Sequence, residues 1–241
     1  MEEVHASGRT RDASPKSLAR VIGLLTLLTV IGGVYAQVYV GGQLIAWRDA
    51  AATAANILAH KSLYLSAVAV YLVEMAISIA STALLYALLK PAGRSLALVT
   101  LSLGLTANVI KTVARVLFAS PLYVLNPQRF HALGADALND LSLLLLLVND
   151  HAAGIAMAFF GFQALLAGWL MLRSTFLPRI LGVLSIVGGL GWATHVWPPL
   201  GYRLNDIAML VGVLGVFVQM FWFLVFGVNE QRWHEQAGSS R

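Results

Sequence analysis

The chain of 241 residues is 59% apolar and only 11% charged, whereas about 25% of the residues in a typical soluble domain carry a charge. Its apolar residues come in blocks of about 20, the length that an α-helix needs to cross a bilayer, so the class of soluble globular proteins is excluded. The chain lacks cysteine, which excludes disulfides and thiolate metal sites, and its net charge of +5 comes mainly from basic residues at the ends of the apolar blocks.

Six apolar segments, counted inward from their flanking charges, predict six membrane-spanning helices. In chain order they run from Leu18 to Val40, Leu63 to Leu89, Ser95 to Phe118, Leu141 to Leu172, Ile180 to Trp197 and Asp206 to Val228. The expected fold class is therefore all-α, a polytopic transmembrane bundle over residues 18–228 between tails at 1–17 and 229–241. The fourth segment exceeds one crossing, so we expect it to tilt or to project beyond the membrane. The second tail is expected to form a short interfacial extension or to be disordered.

The connections between the segments are short on one side and longer on the other, where two are expected to hold short surface helices. Asp49 is placed to N-cap a helix from Ala50 to His60, and Pro127 can begin a turn that leads to Ala132. Ten basic residues fall on the short-loop side, and four on the other, Arg48, Lys61, Arg129 and Arg203. This bias predicts that both termini are cytoplasmic, in a multi-pass protein of the bacterial inner membrane.

Two regions of the chain carry a resemblance to a known family. The first is the stretch DAAATAANIL at 49–58, and the second contains Asp150-His151, the stretch FFGF at 159–162 and the stretch LPRILGVL at 177–184. In these residues the chain resembles the bacterial integral membrane proteins grouped as domain of unknown function 4386. The resemblance runs from about Arg20 to about Glu235. It implies a six-helix architecture and no established activity.

Several ionisable side chains fall inside the predicted spans, where the cost of burial makes a functional role the default hypothesis. Counting about 1.5 Å per residue from the cytoplasmic charges places Glu74 and Lys111 at the same depth, about one turn below the outer boundary, and predicts that they pair. Asn108, Lys111 and Arg115 share one helix face, as do Tyr71, Glu74 and Ser78. The same count adds further groups at or near this level, namely Tyr35, Asp150, His151 and His195.

This polar layer has two non-catalytic interpretations. In the first, it is a structural helix clasp in which Glu74 neutralises Lys111, Arg115 extends to the outer surface and Asp150 pairs with one of the two cations. In the second, it lines a pocket near the outer face that binds or transports a small anionic or amphipathic ligand. Lys111 and Arg115 are then the anion contacts, Glu74 is their charge partner, and Asp150 with His151 forms a gate or exchanges protons.

A third interpretation is a membrane-embedded enzyme that uses His151 or His195 as a general base or metal ligand. No catalytic or metal-binding motif accompanies either histidine, so no catalytic residue, cofactor or metal is predicted. Trp192 and Trp197 are expected at the outer membrane interface. Membrane lipids are the expected partners and nucleic acid is not, while the oligomeric state and the choice between enzyme and non-enzyme stay open.

Overall fold

The computed structural model describes residues 14–126, 128–130 and 132–239. These residues form helices and connections, with no strand among them. The helices are α1 (Pro15–Leu44), α2 (Ala50–Ala59), α3 (Lys61–Leu89), α4 (Arg94–Ala119), α5 (Pro121–Val124), α6 (Ala135–Arg173), α7 (Arg179–Val196), α8 (Pro198–Val225) and α9 (Glu230–Ser239). Six of them are long and apolar enough to cross a membrane, namely α1, α3, α4, α6, α7 and α8. This confirms the predicted fold and identifies a multi-pass integral membrane protein.

Local sequence sets several of the helix ends. The Ser14 side chain accepts a hydrogen bond from the Ser17 backbone N–H at 3.2 Å and caps α1. Asp49 accepts one from the Ala52 N–H at 2.8 Å, which confirms the predicted cap of the surface helix α2. The turn from α3 to α4 passes through Gly93, whose φ of 157° is rarely adopted by residues with a side chain. The turn predicted to begin at Pro127 starts outside the described residues.

The six spans form a closed ring in which each helix packs mainly against its neighbours in the chain and α1 packs against α8. Both ends of the described chain lie on one side, because the Lys16 N–H donates to Glu230 Oε1 at 3.3 Å. We call this side, with the turns α3–α4 and α6–α7, the terminal face, and the opposite side, with α2 and α5, the loop face. The assignment of the terminal face to the cytoplasm stays a prediction from the charge bias.

Close approach of small residues holds neighbouring spans together, which matters because lipid tails are as apolar as the helix surfaces and cannot drive their association. A Cβ added to Gly168 would lie 2.7 Å from the Gly182 carbonyl oxygen, so α6 and α7 are in backbone contact there. A Cβ on Gly188 would lie 3.2 Å from the Cα of Gly212, which joins α7 to α8. Close backbone approach at glycines therefore joins α6 to α7 and α7 to α8.

Two apolar clusters close the ring at its ends. The cluster at the terminal face includes Ile22, Leu89, Leu170, Leu181 and Phe223. The cluster at the loop face includes Val40, Ile57, Tyr64, Phe118 and Leu146. The space between the clusters lies in the middle of the bundle, away from both faces.

Helix α9 lies across the terminal face and connects parts of the ring that are distant in sequence. The Trp233 indole N–H donates to the Leu88 carbonyl oxygen at 2.9 Å, at the end of α3. Gln236 Oε1 accepts from the Thr175 backbone N–H at 3.0 Å, in the α6–α7 turn. The tail was predicted either to form a short interfacial extension or to be disordered. Residues 230–239 form a helix, so the first alternative applies to them.

Some predicted helix boundaries differ from the observed ones because flanking charges were taken as helix ends. The last span begins at Pro198 rather than at Asp206, since proline suits the first helical turn and the side chain of Asp206 is exposed. The fourth span begins at Ala135 rather than at Leu141 and includes the exposed Asp140. At 39 residues it is longer than one membrane crossing, as predicted. The first span continues beyond Val40 through a π-helical segment, Val34–Gly41.

Candidate functional site

A buried ion pair joins the second and third spans at the predicted depth. Lys111 Nζ lies 3.0 Å from Glu74 Oε1, which confirms the pairing expected from counting along α3 and α4. The Glu74 side chain is only 4% exposed, and its second oxygen, Oε2, has no hydrogen-bond partner among the described residues. A Cβ on Gly33 of α1 would lie 3.9 Å from Glu74 Oε1, so α1 covers the pair without a polar side chain at that position.

Arg115 is buried close to this pair, and the prediction that it extends to the outer surface is wrong. Its Nη1 donates to Asn149 Oδ1 at 3.2 Å, and its guanidinium lies 3.6 Å from the centroid of the Tyr71 ring. The cation is thus held by an amide and an aromatic face, while its Nε has no partner among the described residues. The clasp interpretation also proposed that Asp150 pairs with Lys111 or Arg115, but neither cation lies within 4.0 Å of it.

Tyr35 and Asn108 both hydrogen-bond to α3, but at different levels. The Tyr35 hydroxyl lies 2.7 Å from Ser66 Oγ, near the loop face. The fully buried Asn108 donates through Nδ2 to the Gly104 carbonyl oxygen at 2.9 Å and to Thr82 Oγ1 at 3.2 Å, about one turn further from the loop face than Lys111. These two predicted site residues therefore connect helices.

The histidines form a separate group at the loop face, around a tyrosine that was not predicted as a site residue. The Tyr202 ring centroid lies 5.6 Å from that of the exposed His151 and 6.5 Å from that of the buried His195. Tyr202 is four residues after Pro198, the first residue of α8. It was missed because the helix was predicted to begin only at Asp206, which placed Tyr202 outside the span. In the described chain, no three His, Asp or Glu side chains are grouped as they would be around a metal ion.

The bundle contains a cavity of about 300 Å³ between the two apolar clusters, and this cavity is only partly enclosed. All six spans contribute to its wall, and Lys111 is the only one of the eight predicted site residues that lines it. The cavity extends from the level of Lys111 toward the terminal face, so it lies deeper than the predicted pocket near the outer face. Trp192 also lines it.

The wall of the cavity combines polar side chains with apolar ones. The side chains of several polar members make no hydrogen bond to other described residues, namely Ser78, Ser81, Gln163 and Gln219. The end nearest the terminal face is apolar and is formed by Leu85, Met220 and Phe223. Lys111, with its side chain 21% exposed, is the only charged residue among those described in the wall.

The eight predicted site residues thus fall into distinct groups. Glu74, Lys111, Arg115 and Asn108 lie together at the α3–α4 interface. His151 and His195 lie beside Tyr202, Asp150 lies between Tyr71 and Tyr202, with both of which it interacts electrostatically, and Tyr35 is held by Ser66. Asn149, which binds Arg115, was not predicted as a site residue, because it is uncharged and the candidates in this part of the chain were chosen for their ionisable side chains.

The profile of one protein family matches residues 21–227 of the chain. No curated protein and no solved structure matches it. Since the match covers most of the chain, and agrees with the resemblance seen in the sequence, this protein belongs to the family described as Domain of unknown function (DUF4386).

Proposed function

We propose that this protein binds a small amphipathic anion in the central cavity and moves it between the two faces of the membrane. The observation that carries the proposal is the position of Lys111, a cation in the wall of an otherwise uncharged cavity within the bundle. An intramembrane cation is costly to maintain, and such groups commonly mark ligand or ion pathways. Only one of the three ammonium donors of Lys111 is used by Glu74, so donors remain for a ligand.

The chemistry of the wall supports an amphipathic ligand. A carboxylate, sulfate or phosphate group would bind at Lys111, within reach of side chains such as Ser78. The apolar part of the ligand would then extend toward Leu85, Met220 and Phe223. Ligand pockets typically enclose about 300 to 1,000 Å³, so a cavity of about 300 Å³ favours a small ligand over a whole phospholipid.

The position of the cavity supports movement of the ligand. Transporter sites commonly lie near the middle of the bilayer and open alternately to the two sides. Here one apolar cluster separates the cavity from the terminal face and the other separates it from the loop face. In our proposal, separation of helices at each cluster in turn exposes the cavity, and the group formed by Asp150, His151 and Tyr202 acts as a gate at the loop face.

The role of Arg115 differs from that proposed from the sequence. It does not line the cavity, and its guanidinium is engaged by Asn149 and Tyr71. Arg115 therefore contributes positive potential near Lys111 without contacting the ligand. We retain the bacterial inner membrane, with cytoplasmic termini, as the proposed location, on the basis of the charge bias.

The binding site is tested with octyl sulfate, an anion with a short apolar chain, titrated into the protein in lipid nanodiscs against protein-free nanodiscs. We expect Lys111→Met to weaken octyl sulfate binding at least about tenfold, since a charge-assisted hydrogen bond is lost. Binding of uncharged octanol should change little. The matched control is Lys61→Met, which removes an exposed lysine at the loop-face end of α3.

Two results would contradict the proposal. One is octyl sulfate binding that is unchanged in a folded Lys111→Met protein. The other is a wild-type protein that does not bind octyl sulfate. If the wild type does not bind and Lys111→Met loses its fold, the structural clasp is favoured instead, because the buried pair of Lys111 and Glu74 then has a role in stability alone.

A further inference from the structure

The ion pair beside the cavity is neutral as a unit, and one of its members is poorly provided with other partners. Glu74 Oε1 accepts from Lys111, whereas Glu74 Oε2 is buried without a hydrogen bond to any described residue. Gly32 and Gly33 of α1, which pack near Glu74, have no side chains to offer it. Glu74 therefore depends on a single cation for charge compensation.

An anion that binds Lys111 competes with Glu74 for this cation. In the resulting complex two negative charges would share one ammonium group in a site sheltered from water, and an uncompensated buried carboxylate is strongly unfavourable. Arg115 does not replace Lys111 as a partner, because Glu74 is not within 4.0 Å of it and its guanidinium is held by Asn149 and Tyr71. Uptake of a proton by Glu74 removes the conflict.

We infer that binding of each anion at Lys111 is coupled to uptake of one proton by the Glu74–Lys111 pair. This inference rests on the proposed function. Before binding, the pair holds one ionisable proton between its two side chains. After binding, the ammonium of Lys111 faces the anion and Glu74 is a neutral carboxylic acid, so the pair holds two. The stoichiometry of one proton per anion is the same wherever the first proton resides before binding.

The other groups around Glu74 are consistent with this assignment. Lys111 of α4 binds Glu74, and Tyr71 of α3 interacts electrostatically with both Glu74 and Arg115, while its hydroxyl donates to Gln37 at 2.7 Å. Asp150 of α6 lies near Tyr71 and adds negative charge, which opposes a second ionised carboxylate. Helix α1 contributes no titratable side chain at Gly32 and Gly33. Glu74 is therefore the acid closest to the anion-binding lysine.

The coupling is measured by calorimetric titration of octyl sulfate into the wild-type protein in nanodiscs, in two buffers with different ionisation enthalpies. Octyl sulfate stays ionised at neutral pH, so a proton taken up on binding must go to the protein. We expect uptake of one proton per anion, and an apparent Kd that rises about tenfold per pH unit in the range where the unliganded pair holds a single proton.

The variant Glu74→Gln should bind octyl sulfate without proton uptake and with an apparent Kd independent of pH. The matched control Asp140→Asn removes an exposed carboxylate near the start of α6 and should retain the wild-type coupling. If Glu74→Gln does not fold, the buffer comparison on the wild type still decides the question. Binding of octyl sulfate without proton uptake overturns the coupling and leaves the binding site in place, whereas absence of binding at every pH overturns both proposals.

Discussion

Replacing Lys111 with Met and Glu74 with Gln, singly and together, measures how strongly the two side chains interact. Their charged atoms are 3.0 Å apart. At this distance, and with an effective dielectric constant of about 20, Coulomb's law gives an attraction of about 5.5 kcal/mol before desolvation is subtracted. Removing one partner of a buried pair typically costs about 3 to 5 kcal/mol, because the other charge is left uncompensated. We expect Lys111→Met to fall in this range, since Glu74 is 4% exposed.

The double variant should be less destabilised than the sum of the two single variants, because no unpaired charge is left in the bundle. We expect a coupling free energy of at least about 2 kcal/mol from a double-mutant cycle. The free energy of unfolding is measured in mixed micelles of mild detergent and dodecyl sulfate by circular dichroism. The same cycle with Lys61→Met in place of Lys111→Met should be additive within about 0.5 kcal/mol. If the destabilisations caused by Lys111→Met and Glu74→Gln are also additive within about 0.5 kcal/mol, the ion pair does not stabilise the bundle and the reasoning is refuted.

Two further predictions concern helix packing and the terminal face. Gly161→Ala should destabilise the bundle by about 1 to 3 kcal/mol in the same unfolding assay, because its Cβ would lie 2.5 Å from a backbone nitrogen of α7. The control is Gly154→Ala, which should cost nothing, because a Cβ on Gly154 would have no neighbour closer than 3.7 Å. The hydrogen bond from Ser14, with the Lys16 backbone N–H, lowers the pKa of Glu230. Because this pKa is lower in the folded protein than in the unfolded chain, ionised Glu230 stabilises the docked α9 at pH values above the ordinary pKa of a carboxyl group. This stabilisation is lost as the pH falls through the lowered pKa. The protection factors of α9 amides against hydrogen exchange should therefore fall in acid in the wild type, and Glu230→Gln, which already lacks the carboxylate, should show little further fall.

The pairing of Glu74 with Lys111 was predictable because it depends only on the depth of the two residues and on the helix faces that they occupy. The spans α3 and α4 are joined by a short turn, so counting residues from that turn gives comparable depths in both helices. In each span the polar side chains are spaced three or four residues apart and therefore lie on one face of the helix. Two such stripes on consecutive antiparallel helices can meet without information from the rest of the chain.

The environment of Arg115 was not predictable in this way. Its partner Asn149 is on α6, beyond the long connection that includes α5, and the rotation of α6 about its axis decides whether Asn149 or Asp150 faces the ring interior. Adjacent residues on a helix point about 100° apart, so an error of one residue in the assumed face exchanges the amide for the carboxylate. Asp150 was predicted as the partner because it is charged, whereas helix packing places Asn149 against Arg115.

The sequence by itself determined the lipid environment, the number of spans, the cap of α2 and the pairing of Glu74 with Lys111, since these depend on apolar length, local hydrogen bonding and residue count. Only the tertiary structure decided that α1 closes the ring against α8, that Lys111 alone of the predicted site residues faces the cavity, and that Tyr202 lies between two histidines. These features depend on the rotation of each helix. That rotation is set by contacts such as Gly188 with Gly212, between segments whose pairing no local pattern specifies.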